Sequence, residues 1–237
     1  MNTNIWLIQA KTNLHVGNEN TSNYGLIDKA IQRDPLTQIP CINSSSLKGA
    51  LNEFCTNGKN EQSMPDVDRL AVFGSDKNDK KGSKSTKGKA IFYDAKLLFL
   101  PMQTNDANLF KYVTSSKVID LFNDSVKSLG SGFQLKKDET VLKNVCQLCR
   151  DVEINDEVFT KLCSDDNLPI IARNKLDDGT SANLWYEQVL PAETILYAVI
   201  QEPKKDTLKQ YISDQLIQIG ANATIGYGYC KFTNLNK

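Results

Sequence analysis

The hardest constraint on folding this 237-residue chain lies between Asn13 and Asn43. Before it, Ile5 to Thr12 opens on the apolar run Ile5-Trp6-Leu7-Ile8 with Ala10 beyond, which predicts a strand. After it, Ser44-Ser45-Ser46 precedes Leu47, Leu51 and Phe54 at helical spacing, which predicts a helix from about Ser45 to Cys55. Asn43 or Ser44 is its expected cap, and Asn57-Gly58 its stop. The stretch between holds two glycines, Gly17 and Gly25, among small polar residues, and an irregular run of that length in a domain is normally functional or disordered. A strand, a polar loop and a helix opening with free backbone donors suit a phosphate. The carboxylate of Asp28, in a setting of Gly25, Lys29 and Arg33, marks where chemistry is expected.

The rest of the chain predicts an α+β domain. Residues 74 to 89 carry six lysines and no apolar side chain, so they have nothing to bury. The span 60–89 is therefore expected to be a flexible loop. Lys89 to Pro101 predicts one or two core strands. From Ser115 to Leu129, Val118, Leu121, Phe122, Val126 and Leu129 recur at helical spacing, and residues 139 to 163 predict further helix. Leu168 to Leu176 and Ala182 to Leu190 flank Asp177-Asp178-Gly179-Thr180, a hairpin signal. Glu193 to Gln201 predicts a buried strand and residues 206 to 218 a helix. A glycine-rich stretch, Gly220 to Gly228, then leads into a closing strand through Phe232.

Charge and composition narrow the function. Lys plus Arg equals Asp plus Glu, 28 each, which argues against loose, sequence-blind electrostatic binding of nucleic acid. A local basic groove, assembled from several copies, remains compatible with neutrality. No apolar run is long enough to span a bilayer, and the first residues lack a signal-peptide core, so a cytoplasmic protein without membrane attachment is expected. The six cysteines show no disulfide spacing and are expected to be reduced. Cys146-x-x-Cys149 lacks the second ligand pair of a zinc site. A single histidine, His15, excludes histidine-pair nuclease chemistry. The glycine stretch is no dinucleotide fingerprint, since a strand follows it.

The quoted segments resemble, in their order, the RAMP (repeat-associated mysterious protein) family of type III CRISPR effector complexes. These are Asn13-Leu14-His15-Val16-Gly17, Gly25-Leu26-Ile27-Asp28, Gln32-Arg33-Asp34-Pro35, Ser44-Ser45-Ser46-Leu47-Lys48-Gly49, Ala90 to Pro101, Leu190-Pro191-Ala192-Glu193 and the closing glycine loop. The match favours the repeated backbone subunit of the Cmr type over the Csm type. The resemblance implies a ferredoxin-like, RRM-type palm spanning 1–237. It carries a helical insertion at 102–165 and a protruding β-hairpin, the thumb, at 166–191. It implies guide RNA, single-stranded target RNA, further copies of the chain in a filament and other type III subunits as partners. It also implies endonucleolytic cutting of the paired target at regular intervals.

In the family, the aspartate at the position of Asp28 is required for cutting. Cleavage by internal attack needs a 2′-hydroxyl deprotonated and held in line with the next phosphorus. A carboxylate can serve as base or hold a divalent ion, Mg²⁺ or Mn²⁺. His15 is expected to contact guide RNA or shape its loop. Arg33 lies in the same loop, and Ser45, Ser46 and Lys48 are expected at a phosphate. Arg173, Asn174 and Lys175 lie on the hairpin, where the family's thumb displaces a base pair of the guide–target duplex, and Trp185 or Tyr186 could stack on the displaced base. Gly220, Asn222, Thr224, Gly226 and Tyr227 belong to the family's RNA-supporting glycine loop. Asn43-Ser44 stands where the family usually has Pro-Gly, and Ala221 and Tyr227 where it usually has Gly and Arg. Two alternatives stay open: a non-catalytic RNA-binding scaffold and a single-copy nuclease that processes guide RNA.

Overall fold

Strand β1 (Asn2–Ala10) is the axis of the protein. A computed structural model describes residues 1–17, 27–57, 64–75, 86–105, 108–203 and 207–236. Among them, β1 is followed by β2 (Cys41–Ile42), α1 (Ser44–Asn57), α2 (Asp66–Phe73), β3 (Ile91–Phe92), β4 (Ala95–Gln103) and β5 (Phe110–Thr114). Next come α3 (Ser116–Ser128), α4 (Glu139–Val145), β6 (Val152–Ile154), α5 (Asp156–Cys163), β7 (Ile170–Asp177) and β8 (Thr180–Gln188). The chain closes with β9 (Ile195–Glu202), α6 (Thr207–Ile212), β10 (Leu216–Gln218) and β11 (Tyr229–Asn234).

Among the described residues, nine strands form one sheet in the order β10-β11-β1-β9-β4-β5-β6, with β2 added on β4 and β3 on β9. All pairs are antiparallel except β5 with β6. Asn4 to Ile8 and Ile195 to Ile200 are buried without alternation, so β1 and β9 are covered on both faces. On one face α3 lays Val118, Ile119, Phe122 and Val126 inward. The Phe122 ring meets Tyr197 of β9 edge-on at 4.6 Å. Trp6, on the opposite face, packs against Phe232 of β11. Each such large apolar side chain contributes about 1.5–3 kcal/mol by leaving water. No helix of the described residues is long and apolar enough to cross a membrane.

Helix starts follow side-chain chemistry. Ser115, Asp138 and Asn155 accept from the backbone N–H groups of Lys117, Val141 and Val158, capping α3, α4 and α5. Helix α1 opens from the Asn43 carbonyl, which accepts from Leu47 N, and Asp94 caps it from afar by accepting from Ser44 N at 2.7 Å.

Three expectations about elements need correction. Residues 139 to 163 are not one helix but α4, β6 and α5. The two caps Asp138 and Asn155 mark two helix starts, and Val152 between them is a buried strand residue beside Tyr112. The 102–165 insertion is thus mixed, since β5 and β6 extend the main sheet. Residues 206 to 218 likewise split: Leu208 and Ile212 are buried in α6, a turn with Asp214 at φ +57° follows, and buried Ile217 and Ile219 alternate as strand. Within 60–89, Asp66–Phe73 is helical, with Asp66 and Asp68 in its first turn and Val72 and Phe73 buried. The lysine-rich centre of that span lies outside the described residues. The described parts of Asn13–Asn43 are tied down by bridges Leu14–Leu190, Gly17–Ile31, Lys29–Glu187 and Arg33–Pro40.

Strands β7 and β8 form a separate two-stranded sheet, joined by Asp178 (φ +48°) and Gly179 (φ +81°). Two consecutive left-handed residues are what a two-residue hairpin turn requires, and Asp-Gly supplies them at low cost. Most hairpin residues are exposed, and burial returns only at its root, Glu187 and Gln188.

Candidate nucleic-acid interface

Residues 28 and 29 lie against the root of the hairpin as a short added strand. The backbone N–H groups of Asp28 and Lys29 both donate to the Tyr186 carbonyl at 3.1 Å, and Gln188 N donates to the Lys29 carbonyl at 2.9 Å. Asp28 is exposed, and its Oδ2 accepts from Tyr186 N at 2.7 Å. Oδ1 has no hydrogen-bond partner among the described residues. One carboxylate oxygen of this exposed residue is therefore fixed by the hairpin backbone.

Beneath this strand sits Glu187, with a side chain 1% exposed. It accepts from Lys29 Nζ (3.0 Å), Trp185 Nε1 (2.8 Å), Arg173 Nε (3.0 Å) and Asn222 Nδ2 (2.8 Å). These donors come from the 27–33 loop, both hairpin strands and the glycine-rich turn. Burial alone would push the Glu187 carboxyl up, but the bonds from Trp185, Lys29, Asn222 and Arg173 outweigh it and hold the pKa down to about 2. The Lys29 ammonium also lies 5.0 Å from the centre of the Trp185 ring, and the Arg173 guanidinium 4.5 Å from that of Tyr227.

The glycine-rich turn is seated on the exit of β1. Gly220 has φ +81°, and a β-carbon there would collide with the His15 carbonyl oxygen, which accepts from Ala221 N at 2.9 Å. Gly228 (φ +78°) is as close to the Ile219 carbonyl, and its N–H donates to the Asn13 carbonyl. Asn222 is left-handed at φ +67°, which an Asn tolerates and which aims its amide at Glu187.

Of the residues expected at the site, Asp28, Arg173, Asn222 and Tyr227 converge at this root. Thr224, Gly220 and Gly226 are exposed on the adjoining turn. Asn174 and Lys175 are exposed one and two residues farther along the hairpin, with Asn174 accepting from Ser181. Tyr186 keeps an exposed ring, whereas Trp185 is committed to Glu187 and Lys29. Gly25, expected beside Asp28, lies outside the described residues.

The remaining expected positions make different contacts. His15 is buried, and its Nδ1 lies 2.7 Å from the Gln188 carbonyl, which can only accept, so Nδ1 carries the proton. It shapes the loop rather than presenting an edge to RNA. Arg33 turns away from Asp28: it donates to the Gln38 and Cys163 carbonyls and pairs with Asp165 at 2.6 Å, clamping its turn to the end of α5. Ser45 is exposed and Lys48 half-buried on α1, while Ser46 accepts from Gln32. The Asp94 carboxylate already occupies the first donor of that helix, so a phosphate there would face a negative group.

Among the described residues, no three His, Cys, Asp or Glu side chains cluster to hold a metal. A hard divalent ion at Asp28 would take one carboxylate and otherwise water or phosphate oxygens, a pattern that suits Mg²⁺. Glu187, Gln32 and Gln188 are the residues that sequence reasoning missed. Gln32 joins the loop to α1 by donating to the Gly17 carbonyl and Ser46 and accepting from Asn43 N. Only the hairpin's alternation, which puts position 187 on the root's inner face, signals Glu187 in sequence.

Comparison with known proteins agrees with this architecture. Over 270 residues the chain is 24% identical to the CRISPR system Cmr endoribonuclease Cmr4 of Pyrococcus furiosus, with 88% of each covered. Its fold matches a chain in a cryo-EM structure of Type III-B Cmr-beta bound to cognate target RNA, with TM-score 0.74 and 20% identity over 99% of this chain and 98% of that one. It also matches the crystal structure of oligomeric Cmr4 from Pyrococcus furiosus, with TM-score 0.69 and 21% identity over 99% and 98% of the two chains. The profile of the RAMP superfamily covers residues 7–231, nearly the whole sequence, and the chain belongs to that superfamily.

Proposed function

We propose that this protein is the repeated backbone subunit of a type III CRISPR effector of the Cmr type. It binds guide RNA and cuts the paired target RNA, with Asp28 as the catalytic residue. The likeness to Cmr4 over most of both chains supports the assignment, and the placement of Asp28 carries the chemistry. An exposed carboxylate, pinned by one oxygen at the root of an exposed hairpin, is built to meet a strand lying across that root.

The nine-stranded sheet then serves as the palm and β7–β8 as the thumb. Base pairing reads sequence, and the protein grips shape and backbone. The thumb displaces a nucleotide, which frees the ribose-phosphate backbone to reach an in-line geometry. Oδ1 of Asp28 takes the proton of the 2′-hydroxyl as that oxygen attacks phosphorus. The P–O5′ bond breaks and the leaving 5′-oxygen takes a proton from water, giving a 2′,3′-cyclic phosphate and a new 5′-hydroxyl. Asp28 also suits a hydrated Mg²⁺ or Mn²⁺, which when bound shields the charge developing on the phosphoryl oxygens.

The assay is a labelled complementary RNA incubated with the assembled complex and Mg²⁺. Native protein is expected to give evenly spaced products, and Asp28→Asn an intact strand with assembly and target binding retained. Cutting that persists in Asp28→Asn removes the assignment. An intact strand with native protein leaves a scaffold, and a single cut in a guide-RNA hairpin points to a processing nuclease.

A further inference from the structure

The position of Asp28 depends on more than its own hydrogen bond. Three backbone bonds attach residues 28 and 29 to the edge of the hairpin. The side chain of this short strand that reaches inward is Lys29, and its ammonium ends on Glu187 at 3.0 Å. Lys29 itself is half exposed, and an ordinary surface pair of that exposure holds little. Its partner is different. Glu187 is almost wholly removed from water, and without Lys29 its Oε1 would keep the Trp185 indole as its one donor among the described residues, the Arg173 cation being on Oε2. The pair therefore resists opening from the Glu187 side.

Glu187 binds the neighbouring parts of the site through the same carboxylate. Arg173 and Trp185 fix the two hairpin strands, and Asn222 fixes the glycine-rich turn. The hairpin root, the turn and the strand bearing Asp28 thus share one anchor. We propose that Glu187 is a positioning residue that acts through Lys29: the ion pair, buried on its Glu187 side, tethers residue 29 and thereby sets where the Asp28 carboxylate stands relative to the hairpin. The inference rests on the nuclease reading for its kinetic consequence, but its structural content does not.

A merely structural Glu187 would hold the hairpin to the turn, with Lys29 an incidental surface partner. The two cases separate in a double-mutant cycle on the assembled complex, with single-turnover cleavage of a labelled complementary RNA in Mg²⁺. Displacing a reacting group by about 1 Å costs on the order of a hundredfold in rate. Lys29→Met should slow cutting by about that factor, and Lys29→Arg, which keeps a cation within reach of Glu187, should restore most of it. The double variant Lys29→Met, Glu187→Gln should cut no more slowly than Glu187→Gln alone.

Amide hydrogen exchange of the free protein gives a readout independent of activity. In Lys29→Met the amides of residues 28 and 29 should exchange about tenfold faster or more, while those of β1 and β9 stay unchanged. Lys29→Met cutting at the native rate, or multiplicative losses in the double variant, overturns the proposal. If native complex does not cut at all, the nuclease reading falls instead. The tether is then decided by exchange alone, and unchanged amides at 28 and 29 overturn it.

Discussion

Acid should weaken this protein at one identifiable place. Glu187 is held at a pKa of about 2 in the fold, against 4.5 for an unhindered glutamate. A carboxyl whose folded pKa is depressed contributes stability that is fully present above the unfolded value and is lost as pH falls toward the folded one. At 1.36 kcal/mol per unit, the whole difference is worth about 3 kcal/mol near neutral pH. At about pH 3 the unfolded chain has taken up the proton and the folded one has not, so about 2 kcal/mol of that contribution should be gone. Asp34, Asp165 and other carboxylates held low by their donors will add to acid loss, so the native protein alone cannot isolate the effect. The comparison with Glu187→Gln does, because the other groups titrate in both proteins. The amide introduced by Glu187→Gln would turn its hydrogens toward groups that are themselves donors, so the variant is less stable at pH 7. Urea denaturation of both proteins from pH 7 down to pH 3 should show the gap closing by about 2 kcal/mol. A gap that stays constant over that range would refute the reasoning, since Glu187 would then have no preference for its charged form.

Two further outcomes follow from single contacts. Gly220→Ala places a β-carbon at φ +81° against the His15 carbonyl, which is itself held by Ala221 N. The left-handed cost of about 1–2 kcal/mol and the collision outweigh the roughly 0.4–1 kcal/mol gained from a stiffer unfolded chain, so urea midpoints should fall by an equivalent of about 2 kcal/mol. Five cysteines are buried, with burial pushing Cys41 up to about 11 and Cys55, Cys146, Cys163 and Cys230 up to about 12, while Cys149 is exposed. A thiol reagent at about pH 8 should therefore modify one group rapidly, and Cys149→Ser should abolish that phase. A second rapid thiol would place another cysteine at the surface.

What the sequence made legible is what local chemistry determines. The strand of β1, helix α3 and the Asp-Gly hairpin each have a period and a terminating residue that point the same way. The segment 139–163 failed because apolar spacing ran past a cap: Asn155 begins a new helix, and Val152 is buried by pairing with β5, forty residues away in sequence. The site was half legible. Asp28, Arg173, Asn222 and Tyr227, singled out by the resemblance and the hairpin, come together at the root, and three of these four point at or stack beside the same hidden group. That group, Glu187, was not. A glutamate between a tyrosine and a glutamine looks like solvent-facing strand, and only donors from three distant segments make its burial tolerable. Arg33 differs the other way: a loop arginine beside an aspartate looks like a phosphate ligand, and in the fold it is engaged by Gln38 of its own turn and by Cys163 and Asp165 at the end of α5.

The same carboxylate bears on the neutral charge. Glu187 takes up two cations, Lys29 and Arg173, that would otherwise count toward a basic surface. The formal balance of 28 against 28 therefore understates how the root is arranged: one buried negative charge faces two positive ones, leaving a local excess of one before Asp28 is counted. Adding Asp28, an exposed residue, returns the root to neutrality. A strand of phosphates approaching such a root meets little net attraction from it. On the proposed function its placement would come from base pairing to a guide, from exposed hairpin groups such as Lys175 and Tyr186, and from contacts repeated along successive copies. Near-neutrality would then keep an unpaired RNA from dwelling at the carboxylate, while the geometry of the proposed assembly brings a paired strand there.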